Sequence, residues 1–287
     1  MPEIKVAKTA GFCFGVNRAV DMVTSEMKKP GKVYTYGPIV HNEVVTAKLS
    51  EGGVSVLNSI EEAGREFEKA PSDSKTVVIR AHGVAADVEE TLKAMGYNVV
   101  DATCPFVRKI HEIVARENAD GRLVIIVGDP KHPEVQGIAG RGNAENVVIE
   151  NYEDFERLKL PLDKTYSLVA QTTFNYEKLN EIIDKLKVLQ YDIRCFNTVC
   201  NATYERQREA AEIAESVDAM IVIGSRNSSN TRKLYEICKA KCDVTVLIQD
   251  VDDLTCADYH SVNSVGITAG ASTPKHIIEE VQTYVRS

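Results

Sequence analysis

The sequence predicts an α/β protein made of three pseudo-equivalent small units, each with a parallel sheet. Three observations predict it. A strand–cysteine–helix corner occurs at Cys13, Cys104 and Cys200. A polar loop residue stands 28 positions past each of these cysteines, at His41, His132 and Ser228. A second polar turn follows near 70 positions, at His82, Thr172 and Ser272.

The corner is clearest in the second copy. The apolar run Tyr97 to Val100 ends in Asp101-Ala102-Thr103-Cys104-Pro105, and a helical pattern runs from Val107 to Ala119. Pro105 is preset for the first turn of a helix. A thiol at that point feels the positive end of the helix dipole, which favours thiolate. Cys13 lies between a strand-like Ile4 to Val6 and a helical Val16 to Met27. Cys200 lies between Tyr191 to Phe196 and a helical Tyr204 to Val217.

After each cysteine the same order of elements is predicted. An amphipathic helix comes first, carried by Val16, Ala19, Val20 and Val23, then Val107, Ile110, Ile113 and Val114, then Ala210, Ile213 and Ala214. An apolar strand running into glycine follows, at 33–37, 123–128 and 220–224. After the polar loop come a second β-rich run (54–57, 147–149, 244–247) and an acidic, short helical segment. A third strand then reaches the second polar turn, and a closing helix ends the unit (86–95, 176–189, 274–285). The domains read as 1–100, 101–196 and 197–287, with the N-terminal strand before Cys13 as the candidate to complete the third set. Alternating strands and helices imply parallel sheets with βαβ crossovers. Ligands of such sheets bind outside the carboxyl ends of the strands, where all the marked residues fall.

Composition bounds the function classes. The 287 residues are 44% hydrophobic and 26% charged, with net charge −8. No basic run appears, so nucleic acid is not an expected partner and an anionic ligand needs a local site. The N-terminus lacks the pattern of a signal peptide, and the longest apolar runs, such as Leu123 to Val127, are too short to span a bilayer. A cytoplasmic protein without membrane partners is expected. In a reducing cytosol, seven cysteines read as metal ligands, reactive thiols or buried fillers.

Three thiolates from distant segments suit an iron–sulfur cluster. A cubane capped by three cysteines leaves one iron open, as a catalytic metal site requires. A structural zinc site and three unrelated buried cysteines are the competing readings. Cys195 reads as packing in a strand-like run, and Cys238 and Cys242 as unpaired thiols on a helix. Cys256 is outside the pattern. The polar loops are donor-rich: His41-Asn42, His82-Gly83, Ser228-Ser229-Asn230 and Ala271-Ser272. Helix N-termini with His and Ser donors form an anion site suited to a diphosphate, with cationic His and neutral donors carrying the charge. Glu134 is the one acid set among these turns. Beside a cluster in a dry cavity its protonated form would be favoured, as a general acid needs. His111, His260 and His276 read as surface or helix residues.

The motifs Gly11-Phe12-Cys13-Phe14-Gly15, Val40-His41-Asn42, Arg80-Ala81-His82-Gly83, Asp101-Ala102-Thr103-Cys104-Pro105, His132-Pro133-Glu134-Val135, Gln171-Thr172-Thr173, Cys200-Asn201-Ala202-Thr203, Asn227-Ser228-Ser229-Asn230-Thr231 and Ala269-Gly270-Ala271-Ser272 closely resemble those of the 4-hydroxy-3-methylbut-2-enyl diphosphate reductase family. Those enzymes end the methylerythritol phosphate route to isoprenoids. The resemblance spans nearly the whole chain in order. It implies a trefoil of three α/β domains around one [4Fe–4S] cluster per chain, held by Cys13, Cys104 and Cys200, with one iron not ligated by cysteine. It further implies substrate binding by His41, His82, His132, Thr172, Ser228, Ser229, Asn230 and Ser272, with Glu134 as proton donor. The implied reaction takes two electrons and two protons, from a donor such as ferredoxin or flavodoxin. It yields isopentenyl and dimethylallyl diphosphates. The alternatives are a redox-neutral open-iron dehydratase of the quinolinate synthase kind, a non-enzymatic cluster sensor and a zinc structural protein. A requirement for reductant separates the first of these.

Overall fold

The computed structural model describes residues 2–69, 74–142, 145–254 and 262–286. The chain starts with β1 (Glu3–Val6) and α1 (Phe14–Glu26). It continues through β2 (Lys32–Tyr36), α2 (Glu43–Glu51), β3 (Ser55–Leu57), α3 (Ile60–Glu68), β4 (Lys75–Ile79), α4 (Ala86–Ala94) and β5 (Asn98–Asp101). Next come α5 (Pro105–Ala119), β6 (Leu123–Val127), α6 (Pro133–Ala139), β7 (Val147–Ile149), α7 (Tyr152–Leu158), β8 (Thr165–Ala170), α8 (Tyr176–Lys187) and β9 (Asp192–Cys195). The last stretch holds α9 (Asn201–Ala214), β10 (Ala219–Ile223), α10 (Ser229–Lys239), β11 (Val244–Ile248), a 3-10 turn at Val251–Asp253, β12 (Ser264–Ala269) and α11 (Lys275–Arg286).

The strands form three four-stranded sheets, ordered β3-β2-β4-β5, β7-β6-β8-β9 and β1-β12-β10-β11. Every pairing is parallel. Read from the other end, the third order is β11-β10-β12-β1, so all three sheets share one topology. In it β1, paired with β12 from Glu3↔Ser264 to Val6↔Ile267, takes the place of β5 and β9. The two central strands of each sheet leave in opposite directions, which creates a crevice at their carboxyl ends.

The central strands are the most buried of each sheet. β4 and β10 are buried at every residue, and β6, β8 and β12 at all but the first. Such runs fit strands covered by helices on both faces. Beneath the second sheet, Tyr166, Leu168 and Ala170 pack with Phe155 of α7 and with Leu179, Ile182 and Leu186 of α8.

By compactness the chain divides into two units. One comprises Met1–Val16, His41–Val45 and Cys200–Ser287, and contains the β1-β12-β10-β11 sheet. The other comprises Asn17–Val40 and Thr46–Val199, and contains the remaining two sheets. Among the described residues no helix is long and apolar enough to cross a membrane.

A buried polar network fastens the second sheet to α5. The Arg122 guanidinium donates to the Tyr166 carbonyl, to Ser167 Oγ at 3.0 Å and to Asp192 Oδ1 at 2.7 Å. Ser167 Oγ donates in turn to Glu117 Oε2 at 2.7 Å. Both Arg122 and Glu117 are buried, so removing one partner leaves desolvated polar groups unmatched. Arg122→Met is expected to destabilise the chain by about 3 kcal/mol, read as a lowered urea midpoint. An unchanged midpoint would show that the network adds nothing.

Candidate active site

In the larger unit, Cys104 caps the start of α5. Its N–H donates to the Ala81 carbonyl at 2.9 Å, while the Thr103 N–H donates to Asp101 Oδ1 at 2.9 Å. The β5 exit is thereby tied to the turn after β4. Pro105 occupies the first helical turn, and the Cys104 side chain does not cap the helix. The turn after β4 bears His82 and Gly83. Gly83 has φ +72°, and a Cβ there would stand 2.6 Å from His111 Cε1 and 3.1 Å from Thr103 Cγ2. Glycine is what lets this turn lie against α5.

His111 departs from the surface-or-helix expectation. It is on α5 but buried, at 6% exposure, on the same stripe as Val107, Ile110 and Val114. Burial lowers its pKa to about 4, so it packs under Gly83 as a neutral ring.

The crevice between β6 and β8 holds Glu134. The side chain is 2% exposed. Oε1 accepts from the Thr172 N–H at 2.6 Å, and Oε2 accepts from Thr172 Oγ1 at 2.8 Å. Burial drives its pKa up, and the two Thr172 bonds only partly offset this, leaving it at about 7. His132 caps α6: its Nδ1 accepts from the Glu134 N–H at 3.1 Å. An accepting Nδ1 leaves Nε2 as the donor position of this ring. The His82 and His132 rings meet edge to face, with centroids 5.3 Å apart. Thus His82, His132, Glu134 and Thr172 gather in this unit.

In the smaller unit, Cys13 stands just before α1, and its N–H donates to the Ala271 carbonyl at 3.1 Å. Cys200 caps α9 without a side-chain cap bond. The loops after β10 and β12 carry the other expected residues. Ser228 caps α10 by accepting from the Thr231 N–H at 3.4 Å, and Ser228, Ser229, Asn230 and Ser272 are all buried. Ser272 Oγ donates to the His41 carbonyl at 2.9 Å. Glu43 Oε1 accepts from Ser225 Oγ and Asn227 Nδ2, each at 3.0 Å, so the 41–45 segment is fastened to the β10 loop as well. Asn230, at 4% exposure, has neither amide atom hydrogen-bonded among the described residues, and Thr231 Oγ1 is likewise unmatched. Buried amides in that condition suit a polar ligand that satisfies them.

The donor set also fits a cluster. Cys13, Cys104 and Cys200 are in no disulfide, are half-buried, and each begins a helix whose dipole favours thiolate. The other cysteines behave differently. Cys195 is in β9 but exposed, so the expected packing role does not hold for it. Cys238 and Cys242 are core thiols facing backbone carbonyls, and burial pushes Cys238 up to about 12. His276 is on α11 and exposed; Cys256 and His260 lie outside the described residues.

Sequence reading passed over Arg206. It sits six residues past Cys200 and is 4% exposed. A lone arginine in a charged helix reads as solvated surface, and no spacing rule singles it out.

A family model described as LytB protein matches residues 4–286. A protein of Clostridioides difficile named 4-hydroxy-3-methylbut-2-enyl diphosphate reductase is 41% identical over 99% of each chain. Relatives of the same name from Geobacter sulfurreducens and Aquifex aeolicus are 43% and 40% identical, covering 97% and 100% of this chain and 95% and 96% of theirs. Among solved structures, the E-1-hydroxy-2-methyl-but-2-enyl-4-diphosphate reductase of Plasmodium falciparum is similar with a TM-score of 0.88. It is 30% identical, covering 99% of this chain and 87% of that one. A second reductase structure, 40% identical over 100% of this chain and 99% of its own, has a TM-score of 0.68.

Because folding raises the Glu134 pKa from 4.5 to about 7, the native state holds that proton more tightly than the unfolded chain. The stability this group contributes is full below pH 4.5 and declines as pH rises to about 7. Infrared difference spectra are expected to show a protonated-carboxyl band that disappears through about pH 7 and is absent from Glu134→Gln. A band lost near pH 4.5 instead would mean that Glu134 is solvated.

Proposed function

The chain belongs to the LytB protein family, and from that premise we propose that it reduces 4-hydroxy-3-methylbut-2-enyl diphosphate. The hydroxyl leaves as water with two electrons and two protons, giving isopentenyl and dimethylallyl diphosphates. The names of its relatives and the likeness to solved reductases support this reading. Cys13, Cys104 and Cys200 hold one [4Fe–4S] cluster per chain, with one iron not ligated by cysteine. When bound, that cluster supplies electrons singly and a Lewis acid for the hydroxyl, neither of which a side chain provides. The electrons come from a small carrier protein such as ferredoxin or flavodoxin, in the cytoplasm.

The remaining chemistry falls to the chain itself. Hydroxide is a poor leaving group, so a proton must reach its oxygen as the bond breaks. Glu134 is the group to deliver it. Its carboxyl is half-protonated near pH 7, where Brønsted behaviour makes a general acid most effective. Thr172 fixes the carboxyl through two bonds, and its hydroxyl can accept from Glu134 when the acid is protonated. Burial of the pair keeps bulk water from replacing it as the proton source. At the other end of the substrate, His41, His82, His132 Nε2–H, Ser228, Ser229, Asn230 and Ser272 offer donors to the diphosphate. Anchoring that end orients the allylic end for reaction.

The buried Glu134 carboxyl, clamped by two bonds from Thr172, is the observation that carries this reading. Anaerobic turnover with a chemical reductant, followed by chromatography of the two diphosphate products, tests it. The wild-type chain is expected to convert the substrate only when reductant is present; conversion without reductant, or none with it, would overturn the reading. Glu134→Gln should retain iron, sulfide and substrate binding but lose turnover by ~100-fold or more. Near-normal turnover in that variant would remove Glu134 from the mechanism.

A further inference from the structure

Arg206 is a buried cation whose bonds all go to the loop that delivers Cys13. From α9, whose cap residue is Cys200, its Nε donates to the Thr9 carbonyl at 2.9 Å. Its Nη2 donates to the Thr9 carbonyl at 2.6 Å and to the Gly11 carbonyl at 2.8 Å. Gly11, with φ +95°, turns the chain two residues before Cys13. Glu209, on the same helix three residues later, takes the opposite poles of that loop. Its carboxylate accepts from the N–H groups of Lys8 and Thr9 at 2.8 Å each, and from Thr9 Oγ1 at 2.5 Å. Helix α9 therefore grips the Cys13 loop through both its carbonyls and its amides.

This grip accounts for the position of Arg206 but not for its charge. Burying a guanidinium is costly unless an anion faces it. Among the described residues, no carboxylate forms an ion pair with Arg206. Burial lowers its pKa, and the groups that oppose this most are Cys13 and then Cys200, ahead of Glu209. Glu209 is committed to the loop: burial pushes its carboxyl up, but the bonds from Thr9 and Lys8 more than offset that. Arg206 therefore stands between the two cysteines, bonded to the carbonyl two residues before Cys13 and on the helix that Cys200 caps.

Resting on the reading that Cys13 and Cys200 hold the cluster, we infer that Arg206 is a positioning residue for that centre. It locks the Cys13 loop to the helix that carries Cys200, and its permanent positive charge raises the cluster's reduction potential. A fixed cation stabilises the reduced, more negative form of a cluster over the oxidised form, and net local charge is one of the levers that set such potentials. Lysine would keep the charge with a looser grip; glutamine would keep a donor without the charge.

Redox titration of the full chain, reconstituted anaerobically and followed by electron paramagnetic resonance, separates these roles. Iron and sulfide are measured on the same samples. Arg206→Gln is expected to retain its cluster with a potential shifted to more negative values, while Arg206→Lys stays close to wild type. Loss of the cluster from Arg206→Gln alone also follows the charge and supports the inference. A loaded Arg206→Gln at the wild-type potential would overturn it, as would equal shifts in both variants or loss of the cluster from both. A wild-type chain that takes up no cluster fails the parent reading instead, and is recognised before any variant is compared.

Discussion

A parallel strand hands its chain on only at its carboxyl end, and the chain must then cross back over the sheet as a helix before the next strand can begin. That constraint sorts this molecule. The expected ligands and donors lie in the strand-to-helix loops or in the first turn of the helix that follows, and none lies in a strand. The two central strands of each sheet diverge, so their exit loops face one crevice. The second sheet fills this crevice with Glu134 and Thr172, and the third with Ser228, Asn230 and Ser272. The same topology thus carries different fillings in different sheets.

Burial then sets the chemistry of each filling. Around Glu134 it works against ionisation, and the Thr172 bonds restrain it, so the carboxyl arrives near neutrality as a proton donor. Around Asn230 it leaves an amide with no hydrogen-bond partner among the described residues, ready for a polar ligand. Around Arg206 it leaves a cation bonded only to carbonyls of the loop before Cys13, on the helix that Cys200 caps. A single physical cause, desolvation, yields an acid, a donor cradle and a counter-charge because the neighbours differ.

Much of this was legible in the sequence, and for identifiable reasons. Strands such as Leu123–Val127 are apolar throughout because helices cover both faces, so they stand out against any helical pattern. The corners at Cys104 and Cys200 show as an apolar run, a cysteine and a helix start. The features that escaped depend on tertiary contacts. The burial of Arg206 follows from the β1 loop meeting α9, almost two hundred residues away in sequence, and no local pattern encodes that. The tautomer of His132 follows from one N–H bond within α6. His111 did carry a signal, since it falls on the apolar stripe of α5, where a surface histidine would not.

The central proposal is chemical: three thiols from distant segments serve one cluster and leave one iron for the substrate. Electron paramagnetic resonance of the anaerobically purified chain, recorded with and without the allylic diphosphate and alongside iron and sulfide determination, tests it most directly. The expected result is four irons and four sulfides per chain, with a reduced-cluster signal that changes when the diphosphate is added. A chain without iron and sulfide, or a cluster signal indifferent to the diphosphate, would contradict it.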